Sequence, residues 1–321
     1  MIRKGSAKMI RHLIKGVASV AFIAIFIALS PVARAAQPLV DVAWAKTNAG
    51  KAGVVFIDVR AKSDYLRGHI PGAVDTNYAK DGWRVSEDGV PGMFPKDTAP
   101  LAKLIGGLGI GPDTHVVLVA PGNSASDMGT ATRLYWTFKV LGHDNVSILD
   151  GGMKAYLANV DKNGKPLNPL ARGMAKVTAQ TFPVHLQKAM LINTQDVKKA
   201  EDSGVTLIDN RTADQYMGVN RHPKSKASGT IPGARNLPES WLTENNGGMF
   251  RSAKELKELY AAAGIPTTGK QITFCNTGHW ASLGWFASAE ILGNKQAEMY
   301  DGSMTEWTNK HMPVEQKVKL Q

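Results

Sequence analysis

The 321-residue chain is long enough for two domains of ordinary size, each with its own core. Its 43% hydrophobic and 20% charged residues exclude a disordered or low-complexity chain. The formal charge of +11 raises nucleic acid as a partner, but six of the 38 basic residues lie in the first 35 positions, and the other 32 face 27 acids, a net of only +5. No Lys/Arg stripe with interleaved aromatics occurs, so nucleic acid is not an expected partner.

Arg3, Lys4, Lys8, Arg11 and Lys15 form a positive start, and Val17 to Leu29 is an uncharged apolar run. That run is short of the roughly 20 residues needed to span a bilayer. Pro31-Val32-Ala33-Arg34-Ala35 then ends in Ala-x-Ala. The pattern predicts a secretory signal over 1–35, cleaved after Ala35, and a periplasmic or secreted mature chain without a membrane span. An uncleaved anchor is the alternative.

Downstream, the chain repeats itself. Phe56-Ile57-Asp58-Val59-Arg60 matches Leu207-Ile208-Asp209-Asn210-Arg211, and Tyr65-Leu66 matches Tyr216-Met217. Ile70-Pro71-Gly72-Ala73 matches Ile231-Pro232-Gly233-Ala234, after an insertion around 220–229 that holds Arg221, His222, Lys224 and Lys226. Leu141-Gly142 matches Leu292-Gly293, and Asp150-Gly151 matches Asp301-Gly302. Ordered matches of this kind predict a tandem duplication.

In the first copy, 54–57, 115–119 and 146–149 read as short strands, with helices near 101–105 and 131–141. In the second, 206–208, 272–274 and 298–300 read as strands, with helices over 252–263 and 281–292. Short apolar strands alternating with helices predict an α/β fold: two tandem domains, each a parallel sheet with helices on both faces. The expected boundaries are 36–165 for the first domain, 166–183 for a linker rich in Gly, Pro, Asn and Lys, and 184–321 for the second.

Cys275, the only cysteine, directly follows the strand Ile272-Thr273-Phe274. Asn276, Thr277, Gly278, His279 and Trp280 lead from it into a helix. In such folds the functional crevice lies at the carboxyl ends of the strands. Inward-pointing loop amides and a helix N-terminus favour thiolate over thiol there. Gly278 suits a loop this tight, and Cys275 is expected to act as a nucleophile. The alternative for Cys275 is an inert core thiol. One cysteine cannot make a structural zinc site, and the histidines lack metal-ligand spacing, so no metal is expected. Trp280 and Trp285 suit pocket wall or core. Neither a dinucleotide nor a P-loop fingerprint is present.

The duplicated Ile-Asp-x-Arg, the Ile-Pro-Gly-Ala, the Asp-Gly and Cys-x-x-Gly-x-x-Ala at 275–281 resemble the tandem rhodanese family over essentially the whole mature chain. The resemblance implies an inactive first domain and a catalytic second one that moves sulfane sulfur by a ping-pong route. Cys275 would take sulfur from thiosulfate, 3-mercaptopyruvate or a persulfide, and pass it to cyanide, a thiol or a protein acceptor. No cofactor is implied. The first copy fits the inactive role, since Ala120 stands where Cys275 would.

Two departures concern the donor. Family members that use thiosulfate or mercaptopyruvate carry an Arg where this chain has Gln215. Thiosulfate users also tend to carry a base where it has Thr277. Candidates to replace those cations are His279, Arg221, His222, Lys224 and Lys226. Arg211 is a further candidate substrate contact, although the Asp58/Arg60 pair in the copy without a thiol favours a structural role for Asp209 and Arg211. Cysteine phosphatase or arsenate reductase chemistry needs Cys-x5-Arg, and position 281 is Ala. A sulfur carrier serving a dedicated partner is the alternative to a turnover enzyme.

Overall fold

A computed structural model describes residues 36–320. The expected signal segment lies outside the described residues. Among the described residues no helix is long and apolar enough to cross a membrane.

The first half runs β1 (Leu39–Val40), α1 (Val42–Asn48), β2 (Val54–Asp58), α2 (Lys62–Arg67), β3 (Ala73–Asp75), β4 (Val85–Glu87), β5 (Val90–Met93), α3 (Ala99–Gly107), β6 (His115–Val119), α4 (Ala125–Val140), β7 (Val146–Leu149) and α5 (Gly152–Leu157). The second half runs α6 (Thr194–Asp202), β8 (Thr206–Asp209), α7 (Ala213–Met217), β9 (Arg235–Asn236), α8 (Ala253–Ala262), β10 (Gln271–Phe274), α9 (His279–Phe286), β11 (Ala297–Met299) and α10 (Ser303–Asn309). A single π-turn, Ala287–Ile291, extends α9.

Two parallel sheets result, ordered β1-β7-β6-β2-β3 and β11-β10-β8-β9. Their registers repeat: Asp58 pairs with Val119 at the strand ends of the first, and Asp209 with Phe274 in the second. Successive residues of a strand face opposite sides, so each sheet needs cover on both faces. Phe56, Val117 and Val119 pack with Ala45 of α1 and Tyr156 of α5 on one face. Ile57, Val116 and Leu118 pack on the other with α3 and α4. In the second sheet, Leu207, Ile272 and Phe274 meet α6 and α10.

The remaining faces share one core, in which α4 packs against α9. Thr132 and Ser282 bond hydroxyl to hydroxyl across this contact at 2.8 Å, and Tyr135 meets Phe286 edge-on at 5.0 Å. Both helices are enclosed on nearly every side, which explains why neither shows a clear polar stripe.

Each half also reaches onto the other. The sequence Gly-Met-Phe occurs at 92–94, ending the β4–β5 hairpin, and again at 248–250. The Phe94 N–H donates to Asp301 at 2.7 Å, and the Phe250 N–H donates to Asp150 at 2.9 Å. The Asp of each duplicated Asp-Gly is therefore held by the opposite copy. Residues 163–183 contain no helix and lie along the first half, with the Gln180 N–H donating to the Gly106 carbonyl at 2.9 Å.

Candidate active site

Cys275 lies at the carboxyl end of β10, only 1% exposed, in the wall of a cavity of about 460 Å³. Asn276, Thr277, His279 and Trp280 share that wall. Gly278 is the residue before α9 and takes φ +74°. A β-carbon there would sit 2.3 Å from Arg133 Nη1 and 2.6 Å from Asp301 Oδ1, so both the conformation and the space require glycine.

The loop is tied from behind by Ser303. Its hydroxyl oxygen accepts the N–H groups of Cys275 at 3.0 Å and Gly278 at 3.2 Å. Its own proton goes to the Tyr300 carbonyl at 2.9 Å, with Cys275 Sγ farther off at 3.9 Å. Two of the amides expected to cradle an anion are thus already satisfied by protein. Those of Asn276 and Thr277 find no protein acceptor among the described residues. Ser303 is a non-glycine residue at φ +51°, a conformation that costs of order 1 kcal/mol or more. The matching residue of the first copy is Gly152, at φ +59°, where a β-carbon would strike the Ala120 carbonyl at 2.4 Å. The copy without a thiol therefore also lacks the serine that ties the loop.

Arg133 of α4, fully buried, reaches in from the first half. Nη1 donates to Asp301 Oδ1 at 2.5 Å and to the Gly278 carbonyl at 3.3 Å, while Nη2 donates to the Gly92 carbonyl at 3.2 Å. One guanidinium thus joins the cysteine loop, the Asp-Gly turn and the opposing hairpin.

His279 is held as a neutral wall residue. Nε2 lies 2.9 Å from the Ser126 carbonyl, which can only accept, so Nε2 carries the proton. Nδ1 then accepts from the Tyr78 hydroxyl at 3.0 Å. Burial, with Arg84 and Arg133 nearby, lowers the ring pKa to about 4. His279 is not the replacement cation that the sequence suggested. Trp280 Nε1 donates to Ser126 Oγ at 3.1 Å.

Three other expectations change. Arg211 does not line the cavity: Nε and Nη2 clasp Asp209 at 2.9 and 2.5 Å, and Nη2 also donates to the Gly229 carbonyl at 2.8 Å. Arg60 repeats this with Asp58 and the Gly68 carbonyl, at 2.9, 2.6 and 2.7 Å. A tether present in both copies belongs to the fold. Gln215 accepts from Asn276 Nδ2 at 2.8 Å, so it steadies the loop and stays outside the cavity wall. Of the insertion residues only His222 reaches the cavity; Arg221, Lys224 and Lys226 are exposed outside its wall. Burial, then Lys224, lowers the His222 pKa, so it brings no charge at neutral pH.

Sequence reasoning missed Tyr78, Arg84, Ser126, Asp127 and Thr130, the first half's contribution to the cavity. The repeated Gly-Met-Phe was the available signal, since it marks the segments that cross between halves.

The family model described as "Rhodanese-like domain" matches this chain twice, at residues 41–159 and 193–310. A Mycobacterium bovis protein provisionally named thiosulfate sulfurtransferase 1 is 34% identical over 279 residues, covering 84% of this chain and 94% of its own. The sulfur transferase subunit of yeast mitochondrial complex I is similar in fold, with TM-score 0.73 and 25% identity over 89% of this chain and all of its own. So is the 3-mercaptopyruvate sulfurtransferase SseA of Escherichia coli, with TM-score 0.70 and 24% identity over 84% of this chain and 99% of its own.

Proposed function

This chain belongs to the rhodanese family and is a sulfurtransferase; from that premise we propose that Cys275 carries the transferred sulfur as a persulfide. The thiolate attacks the transferable sulfur of a donor: the outer sulfur of thiosulfate or of a low-molecular-weight persulfide, or the thiol sulfur of 3-mercaptopyruvate, whose C–S pair leaves as the pyruvate enolate. The Cys275 Sγ–S bond forms as the donor's bond to that sulfur breaks, and the leaving group departs with the electron pair. With thiosulfate, sulfite leaves. An acceptor nucleophile, cyanide or a thiol, then attacks the outer sulfur of the persulfide and regenerates the thiolate. No step needs an external oxidant.

The observation that carries this reading is the placement of the only cysteine. It stands at a strand end, in a cavity wall, on a loop fixed by Ser303, Gly278 and Asn276. Thiosulfate is the first donor to offer, because the Mycobacterium bovis relative carries its name. In this reading the catalytic step belongs to 184–321, and 36–165 closes the far side of the cavity. Residues 1–35 would export the chain to the periplasm or beyond, which N-terminal sequencing of the protein made in its own host tests: Ala36 should be the first residue.

The functional test is thiocyanate formation from cyanide with each donor in turn, using Cys275→Ser as control. Turnover abolished by the substitution supports the enzyme. Persulfide formed without turnover favours a carrier that needs a dedicated protein acceptor, a reading favoured by the uncharged Gln215 and Thr277.

A further inference from the structure

We propose that Arg84, supplied by the copy that has no cysteine, is the specificity-determining residue that holds the anionic end of the sulfur donor over Cys275. The proposal rests on the persulfide reading and deepens it by assigning the donor's charged group a partner.

The cavity wall contains two formally charged side chains apart from the thiol and the histidines, Arg84 and Asp127. Arg84 stands at the start of the β4–β5 hairpin, which crosses to the second copy. Its guanidinium stacks on the Tyr78 ring at 4.1 Å. A guanidinium so packed loses little freedom when it binds a carboxylate or sulfonate, and it presents a planar fork to the oxygens. Its Nε is buried and makes no hydrogen bond among the described residues. Arg133, the other nearby guanidinium, is already used by Asp301 and two carbonyls. With positions 215 and 277 uncharged and both histidines of the wall neutral, Arg84 is the cation left to do this. Asp127 works against it, as an acidic side chain in the same wall that would repel an anion; its Oδ2 accepts the Asn123 N–H at 2.9 Å.

The test uses the full chain and two alkylating agents, because Cys275 is the only thiol they can modify. Iodoacetate is an anion and iodoacetamide is neutral; each loses iodide and forms the same kind of S–C bond. The ratio of their rates reads the charge that an incoming anion meets, whether or not sulfur is ever transferred. Arg84→Gln should lower that ratio about tenfold, Arg84→Lys should restore part of it, and Asp127→Asn should raise it. The thiosulfate KM should rise about 10- to 100-fold in Arg84→Gln, with kcat changed far less. In the unsubstituted chain, sulfate should protect Cys275 saturably from iodoacetamide. This arm does not depend on any variant folding. An unchanged ratio in Arg84→Gln, or no protection by sulfate, overturns the proposal. A ratio that falls in a protein forming no persulfide leaves the Arg84 assignment standing and sinks the reaction instead.

Discussion

Replacing Arg133 with Met tests whether the two halves are locked together around the cysteine loop. Met keeps much of the aliphatic stem, which packs near Trp136, 4.7 Å from guanidinium carbon to ring centre. It removes the charge that neutralises Asp301, whose side chain is 8% exposed. Breaking a buried ion pair by deleting one partner costs about 3–5 kcal/mol, because the other charge is left uncompensated. The Gly278 and Gly92 carbonyls also lose a donor, roughly 1 kcal/mol each. Among the described residues, Asp301 then keeps the Phe94 N–H as its hydrogen-bond donor. A loss of about 4 kcal/mol or more is therefore expected in urea unfolding, followed by both circular dichroism and tryptophan fluorescence. The exposed pair Arg67–Asp64 is the contrast: Arg67→Met should cost under about 1 kcal/mol. Adding Asp301→Asn to Arg133→Met should recover part of the loss, since the unpaired carboxylate is gone. A cost below about 1 kcal/mol for Arg133→Met, or simple additivity of the two substitutions, would show that the Arg133–Asp301 pair does not lock the halves together.

Ser303→Ala leaves the Cys275 and Gly278 amides buried without an acceptor, an expected loss of about 2–4 kcal/mol in the same assay. Ser303→Gly loses the same bonds but relieves the positive φ, so it should be the milder of the two; the reverse order contradicts the strain argument. Gly278→Ala should cost about 3 kcal/mol or more, because its β-carbon meets the Arg133–Asp301 pair, and a stable variant would show that the loop can relax. His279 has its folded-state pKa lowered to about 4, so its contribution is present above the unfolded value near 6.5 and is lost as pH falls toward 4. The urea midpoint should drop across that window and do so less in His279→Gln; equal slopes count against the assignment. Glu239 behaves oppositely: burial pushes its pKa up to about 7, so stability is full below the unfolded value near 4.5 and is lost as pH rises through 7. Glu239→Gln should stabilise the chain at pH 8.5 and not at pH 5, and no difference between the two would count against a carboxyl buried without a partner for Oε2.

The strands were legible because their apolar runs are buried on both faces. All six expected strands agree with β2, β6, β7, β8, β10 and β11 to within about one residue. The helices α3, α8 and α9 agree with the expected helical stretches, and α4 does so at its end, although it begins at Ala125, ahead of the expected 131. The short elements were not. The β4–β5 hairpin turns at Asp88-Gly89, with φ +50° and +78°, where the Asp-Gly pair is its one strong local signal. Helix α6 carries few apolar residues, and its signals are a capping box, Asn193 with Asp196, and the three-residue spacing of Thr194, Val197 and Ala200 on its buried face. In the site, Cys275 and its loop could be read from one stretch of chain. Ser303, Arg133 and Arg84 could not, because each comes to the loop or to its cavity from a distant part of the sequence. Arg211 misled for a related reason: its partner Asp209 is local, and only the matching Asp58–Arg60 pair shows that the contact belongs to the fold.

If sulfur resides on Cys275 during transfer, intact-protein mass spectrometry after exposure to thiosulfate, 3-mercaptopyruvate or a persulfide will detect it. The chain should gain one sulfur atom, located at Cys275, discharged by cyanide as thiocyanate and absent in Cys275→Ser. Thiocyanate formation that survives in Cys275→Ser, or no sulfur on the chain with any of the three donors, would contradict a sulfur-carrying Cys275.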